Sequence, residues 1–72
     1  MNFDDFRYIV LCDDLFEMGF ISQREAVEYA AEMRKKYPGY AFTIFTVDDG
    51  DERELERIWQ SYQNQQEEEW DR

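Results

Sequence analysis

The sequence predicts a small α+β domain with the element order β-β-α-β-α. Three observations predict this class: two adjacent apolar segments with strand-like patterning, a capped amphipathic helix that ends at Pro-Gly, and a third strand-like segment followed by a second amphipathic helix. A chain of 72 residues supports one core, because it buries only about 60% of its unfolded surface. We therefore expect residues 1–72 to form a single domain.

The first two strands are predicted to form a hairpin. Residues 8–12 are apolar and rich in β-formers, which is typical of a central strand or one buried on both faces. Residues 15–21 place Phe16, Met18 and Phe20 at a period of two, which predicts a second strand. Asp13-Asp14 would form the turn between them. Because Asp-Asp is not the favoured Asp-Gly pair, a short helical turn or an irregular loop is the alternative.

The first helix has the clearest boundaries. Ser22 to Glu25 forms a capping-box pattern, in which the serine hydroxyl and the glutamate each satisfy a free main-chain amide. The apolar residues that follow recur at helical spacing and form one stripe. Three cations in the last turn complement the helix dipole, and Pro38-Gly39 ends the helix. The stripe consists of Ala26, Val27, Ala30, Met33 and Tyr37.

The third strand and the last helix complete the pattern. Residues 40–47 alternate between two sets of β-formers, and Asp48-Asp49-Gly50 interrupts them. Asp51 is a suitable N-cap for a final helix. Four apolar residues of that helix recur at i, i+3, i+4 and i+7, which is enough to dock on a sheet or on a partner. These are Leu55, Ile58, Trp59 and Tyr62.

A helix that joins the second and third strands favours a right-handed crossover, with the first strand between them. The prediction is a three-stranded sheet in the order 2-1-3 with both helices packed on one face. The other face would then be open to solvent or to a second copy of the chain.

The charge of the chain points to a class of partner. Eighteen Asp and Glu residues against eight Lys and Arg residues give a net charge of −10. Such a chain is disfavoured as a direct ligand of nucleic acid or of an anionic membrane, since both select basic proteins. A basic protein surface is the favourable partner. The alternative is that the acidity serves only solubility.

The chain lacks the residue types that most catalytic and metal-binding sites require. The chain has no histidine and one cysteine, so zinc sites and histidine-based nucleophilic catalysis are excluded. Cys12 lies in an apolar run and is expected to be a buried, inert thiol. With only three glycines there is no phosphate-binding loop. We expect no enzyme activity, no cofactor and no metal.

The location of the protein is expected to be the cytoplasm. No charged segment followed by an apolar stretch opens the chain, and no run approaches the ~18 apolar residues of a membrane span. A single cysteine fits a reducing compartment.

Five aspartates in two turns are candidate cation ligands. An antiparallel arrangement of the first and third strands would, however, put the two turns at opposite ends of the sheet. The five aspartates are Asp13, Asp14, Asp48, Asp49 and Asp51.

The C-terminal segment leaves two interpretations open. Glu67, Glu68 and Glu69 lie where the helix dipole opposes negative charge, so helix stability does not explain them. They form either a solvated, frayed tail over residues 67–72 or an acidic surface for a basic partner. Trp70 follows Trp59 by eleven residues and would return to the same helical face. It is then either packed or an exposed interface anchor.

Residues 7–47 form a hairpin, an Ala- and Glu-rich capped helix and an aromatic strand after Pro-Gly. This pattern resembles the small acidic proteins that phages use to disable host machinery. Residues 20–47 are similar to the strand-helix-strand part of the short RNA-polymerase inhibitor of T7-type phages. Small anti-restriction and anti-CRISPR proteins share the size and the charge. The resemblance implies an inhibitor that acts in the host cytoplasm by binding a host protein.

The sequence thus predicts a non-catalytic, phage-type inhibitor that blocks a basic, nucleic-acid-handling surface of a host protein. The alternatives are an assembly module that forms a homodimer through its open sheet face and, less favoured, an acid-cluster metal binder. The predicted partner-binding residues are Asp48, Asp49, Asp51, Glu67, Glu68, Glu69 and Trp70.

Overall fold

The computed structural model describes residues 3–70, with the side chains of all of these except Asp4 and residues 66–70. The element order and the antiparallel strand order β2-β1-β3 agree with the prediction. The elements are a 3-10 turn Phe3–Asp5, strand β1 Tyr8–Cys12, strand β2 Leu15–Phe20, helix α1 Gln23–Lys36, strand β3 Phe42–Thr46 and helix α2 Glu52–Trp70.

The predicted hairpin is confirmed, and its turn has a defined geometry. Asp13 and Asp14 both have positive φ values, 51° and 69°. Two such residues in a two-residue loop make a type I′ turn, whose twist matches that of the flanking strands. Asp13 also holds the third strand: its N–H donates to the Ala41 carbonyl at 2.9 Å, and its Oδ1 accepts from the Ala41 N–H at 3.1 Å.

Strand β2 contains a bulge that the alternating pattern did not predict. Val10 pairs with Met18 and Leu11 pairs with Phe16, so Glu17 is an extra residue on β2. An extra residue reverses the side-chain alternation beyond it. Phe16 and Phe20, which share one parity in the sequence, therefore join the cores on opposite faces of the sheet.

The two helices cover opposite faces, so the prediction that both pack on one face is wrong. Ile9 and Leu11 of β1 cluster with Ile58 of α2, whereas Val10 clusters with Ala26 and Ala30 of α1. Neighbouring residues of a strand point to opposite faces. Because Ile9, Val10 and Leu11 are all apolar, both faces of β1 require a cover. Within the described residues 3–70, neither sheet face is therefore left open for the homodimer that the sequence suggested.

Helix α1 begins where it was predicted, but the capping box is not formed. Ser22 has the extended backbone of an N-cap residue (φ −99°, ψ 131°), yet its side chain makes no capping hydrogen bond. The first turn is held instead by the Ala26 N–H, which donates to the Ser22 carbonyl at 3.2 Å. The apolar stripe is also narrower than predicted, since Val27 and Tyr37 are exposed.

The segment before β1 adds an aromatic group to the core on the α2 side, which the sequence patterns did not assign. Phe3 is buried and Phe6 packs against the same cluster. The ring of Tyr62 lies 5.2 Å from that of Phe3 and 4.9 Å from that of Phe16, measured between centroids. These are favourable distances for aromatic pairs. The 3-10 turn thus fixes the N-terminal segment beside α2.

Substituting Asp14→Gly is expected to raise the free energy of unfolding by up to about 1 kcal/mol, because glycine adopts positive φ without steric cost. Asp13→Gly is the matched control. It relieves the same backbone strain but removes the carboxylate that accepts from Ala41, so it should be less stable than the Asp14 variant. Urea unfolding measures both, and an Asp14→Gly protein less stable than wild type would contradict the type I′ assignment.

Substituting Gly19→Ala is expected to lower stability by roughly 1–3 kcal/mol, a typical cost of overpacking. A Cβ atom at Gly19 would collide with the ring of Phe6, whereas one at Gly39 would meet nothing within 4 Å. Gly39→Ala is therefore the control and should be neutral within about 0.5 kcal/mol. Equal melting temperatures for the two variants would show that Phe6 does not pack on β2.

Candidate protein-binding site

The acidic turns lie at opposite ends of the sheet, as predicted. Cys12 pairs with Phe42 and Tyr8 pairs with Thr46, so β1 and β3 run antiparallel. The hairpin turn after Cys12 therefore lies far from the loop after Thr46. Within residues 3–70 there is no group of three or more His, Cys, Asp or Glu side chains placed to hold a metal ion.

The three predicted acids of the β3–α2 loop have different environments. Asp51 caps α2: its Oδ1 accepts from the Arg53 N–H at 2.9 Å, and its carbonyl accepts from the Leu55 N–H at 3.0 Å. Asp48 accepts from Arg7 Nη1 at 3.1 Å in an exposed ion pair. Asp49 is exposed. The negative charge of this loop is thus partly structural and partly paired, and Asp49 contributes most directly to the surface.

A groove lies beside the first half of α2, and we call it the Trp59 groove. Its apolar lining is Phe3, Leu55 and Trp59, and the exposed residues Glu52 and Glu56 flank it. The groove has a volume of about 270 Å³. Glu52, Glu56 and Trp59 follow the i, i+4, i+7 spacing of one helical side. The indole is 39% exposed, although Trp59 belongs to the stripe that was predicted to dock.

The chemistry of this groove suits a cationic side chain. The face of an indole attracts Lys or Arg by about 0.5–2 kcal/mol, and a carboxylate beside it adds a charge-assisted hydrogen bond. Glu52 lies in the first turn of α2, where helix stability alone would favour an acid. Glu56 lies one turn further, where the dipole effect has faded. Its position beside Trp59 therefore carries more weight for recognition.

The other exposed side of α2 has a different character. Arg53, Arg57 and Gln60 line a separate depression together with Glu56. Further along, Leu15 of β2 borders a polar depression with the same helix. The side of α2 that faces Phe3 therefore combines acidic and aromatic side chains, and Glu56 lies at its border with the arginine-lined side. This side, rather than the whole helix, is the candidate site.

The predicted partner-binding residues belong to two segments, one at each end of α2. Asp51 and Glu67 are sixteen residues apart, which is about 24 Å along a helix. The backbone of α2 stays helical through Trp70, while the side chains of Glu67, Glu68, Glu69 and Trp70 lie outside the described ones. Trp59 was not among the predicted site residues, although its apolar stripe was predicted to dock either on the sheet or on a partner. Acids three and seven residues before it were the signal available in the sequence.

A second depression lies on the α1 side near the hairpin turn. Its volume is about 260 Å³, and Cys12, Glu17, Tyr37 and Tyr40 are part of its lining. Burial, followed by the negative charges of Asp13 and Glu17, raises the pKa of the Cys12 thiol. A protonated thiol is a poor nucleophile, and this agrees with the predicted inert cysteine. The side chain is half-buried, however, rather than fully buried.

Glu17, which lines this depression, is hydrogen-bonded to Tyr29 of α1. The Tyr29 hydroxyl donates to Glu17 Oε2 at 2.9 Å, and the tyrosine ring lies 5.3 Å from that of Phe20. Burial contributes most, and the hydrogen bond to Glu17 next, to raising the pKa of Tyr29 to about 12. The phenol therefore stays protonated and serves to anchor α1 on the bulged strand.

Comparison of the chain with protein-family models, with curated proteins and with solved structures finds no match in any of the three. Among residues 3–70, neither helix has the length and apolar character needed to cross a bilayer.

The raised pKa of Tyr29 predicts a stability loss in alkaline solution. Between pH 10 and about 12 the unfolded chain loses the Tyr29 proton while the folded chain keeps it, so the free energy of unfolding should fall as pH rises. Urea unfolding measured across this window checks it. In Tyr29→Phe the decrease should be smaller, and an identical decrease in both proteins would contradict the buried, hydrogen-bonded phenol.

Proposed function

We propose that this protein is a non-catalytic, phage-type inhibitor that acts in the host cytoplasm by covering a basic, nucleic-acid-handling surface of a host protein. The observation that supports the proposal best is the Trp59 groove, which a part-exposed tryptophan lines together with two glutamates. A basic surface that binds nucleic acid presents Lys and Arg side chains for phosphates. The groove offers those same side chains an aromatic face and negative charge.

The groove is held on a rigid support. Ile58, on the same helix, is 4% exposed and packs with Ile9 and Phe16 of the sheet. Phe3 is fixed from the other side by Tyr62. Binding groups that are already ordered lose little conformational entropy on association. A large aromatic anchor on such a support has the properties of an interface hot spot.

Long-range electrostatics support the same class of partner. A net charge of −10 on 72 residues attracts a cationic surface and speeds association, and this attraction weakens with salt. Full imitation of nucleic acid by α2 alone is not what we propose. Arg53 and Arg57 interrupt the acids of that helix, and duplex DNA carries one charge per ~1.7 Å. The recognition we propose is local and centred on the groove.

We predict that the triple variant Glu52→Lys, Glu56→Lys, Trp59→Ala loses at least about tenfold in capture of its partner from a bacterial lysate at low salt. The wild-type protein should release the captured protein at high salt. Added duplex DNA should compete for it, because both ligands would use the same basic surface. Quantitative pulldown measures all three effects.

The matched control replaces two acids of the other helix, Glu25→Lys and Glu32→Lys, which also adds positive charge but lies away from the groove. Its capture should fall much less than that of the triple variant. Equal losses would show that net charge alone drives binding. Capture that resists both high salt and DNA would contradict a basic, nucleic-acid-handling partner surface.

A further inference from the structure

The side chains that bond the outward main-chain groups differ between the two edge strands of the sheet, β2 and β3. On the β2 edge, the Phe16 N–H donates to Ser61 Oγ at 3.1 Å, and Gln65 Nε2 donates to the Phe16 carbonyl. Both outward main-chain groups of Phe16 are thus bonded by α2. The β2 edge is therefore blocked at Phe16, next to the hairpin turn.

On the β3 edge, the described side chains bond the carbonyl of Phe42 and leave its outward N–H without a side-chain partner. The hydrogen bonds of Asp13 with Ala41 and of Val47 with Arg7 fix which residues of β3 face β1. Alternation along the ladder then turns the amide groups of Phe42, Ile44 and Thr46 outward. Arg34 donates to the Phe42 carbonyl at 2.7 and 3.2 Å. Among the side chains that the structure describes, none hydrogen-bonds to the outward groups of Ile44 or Thr46.

Charged side chains lie at both ends of the β3 edge, and an apolar side chain of α1 lies between them. Val27 is 48% exposed, and helical spacing places Val27, Ala31 and Arg34 on one side of α1. Since Arg34 reaches Phe42 on the outer edge, that side of α1 flanks β3. Arg34 therefore marks the start of β3 with positive charge, while Asp48 and Asp49 follow the end of β3 with negative charge.

We propose that the β3 edge pairs with the β3 edge of a second copy of this chain, in an antiparallel arrangement about a twofold axis at Ile44. Ile44 would then exchange hydrogen bonds with its own equivalent, and Phe42 with Thr46 of the other copy. Phe42 is 6% exposed, so the Arg34 side chain has to swing aside to admit Thr46 of the other copy. The second lone pair of the Phe42 carbonyl lets Arg34 keep one hydrogen bond. The product is a continuous sheet of six strands, two times the three of one chain.

Charge complementarity favours a second copy of this chain as the partner of the β3 edge. In the antiparallel arrangement the start of each β3 lies beside the end of the other. Arg34 of one copy therefore approaches Asp48 and Asp49 of the other, and the same contact is repeated at the symmetry-related position. Repulsion between two chains of −10 opposes the association. We therefore expect a dissociation constant on the order of micromolar rather than nanomolar.

Sedimentation equilibrium of the full chain tests this surface. The wild-type protein should form a reversible dimer as its concentration rises through roughly 1–100 µM. Thr46→Pro removes an outward N–H of the pairing edge at a residue outside both core clusters, and should raise the dissociation constant by about tenfold or more. Circular dichroism confirms that the variant is folded. A wild-type monomer over the whole range, or a folded Thr46→Pro variant that dimerises as wild type, overturns the proposal.

A charge swap provides a second test that does not depend on the edge substitution. Arg34→Glu and Asp49→Arg should each weaken the dimer, and the double variant should restore it, because the two charges would meet across the axis. Double-variant dimerisation no stronger than that of either single variant overturns the proposed register. The triple variant at the Trp59 groove carries less negative charge and should dimerise at least as tightly as wild type, so the failure of one proposal is distinguishable from the failure of the other.

Discussion

The fold depends on the burial of one strand from both sides. Ile9 and Val10 of β1 are neighbours in sequence and both are 0% exposed. Neighbouring residues of a strand face opposite sides, so each side of the sheet needs its own cover. Helix α1 provides one and α2 with the Phe3 turn provides the other. Removing either cover would return a fully buried aliphatic side chain to water, at about 1.5–3 kcal/mol each.

This constraint also places the candidate site. Helix α2 has to lie on the side of Ile9, and Ile58 anchors it there. Once that face of the helix is fixed, Trp59 is carried to the border of the contact, where Phe3 covers part of it and solvent reaches the rest. The groove is therefore a consequence of how the second helix is docked. Its acidic rim is the part that packing does not require.

Several features could be predicted because their signals are local. Two aspartates between apolar segments were enough to predict the hairpin, and the end of α1 followed from Pro38-Gly39. The order of the strands followed from the handedness of crossovers. Which face of the sheet each helix covers could not be predicted from the helix sequences, since each helix has a single apolar stripe that would fit either face. The unbroken run Ile9-Val10-Leu11 was the signal that both sheet faces are buried.

The features that were missed depend on contacts distant in sequence. The bulge at Glu17 is fixed by pairing with β1 and by the bond from Tyr29. The turn Phe3–Asp5 is too short to have a period, and its aromatic rings are ordered by Phe16 and Tyr62. Trp59 fitted the core stripe in sequence, and only the limited width of the helix–sheet contact leaves it part-exposed.

The most direct test of the Trp59 groove as a binding site is a nuclear magnetic resonance titration of the assigned protein with an arginine-rich peptide, which stands in for a basic protein surface. We expect the resonances of the Trp59 indole N–H and of the main-chain amides of Glu52 and Glu56 to shift most, with small changes in α1. Shifts concentrated on α1, or spread evenly over all the acidic residues, would contradict a binding site built around Trp59.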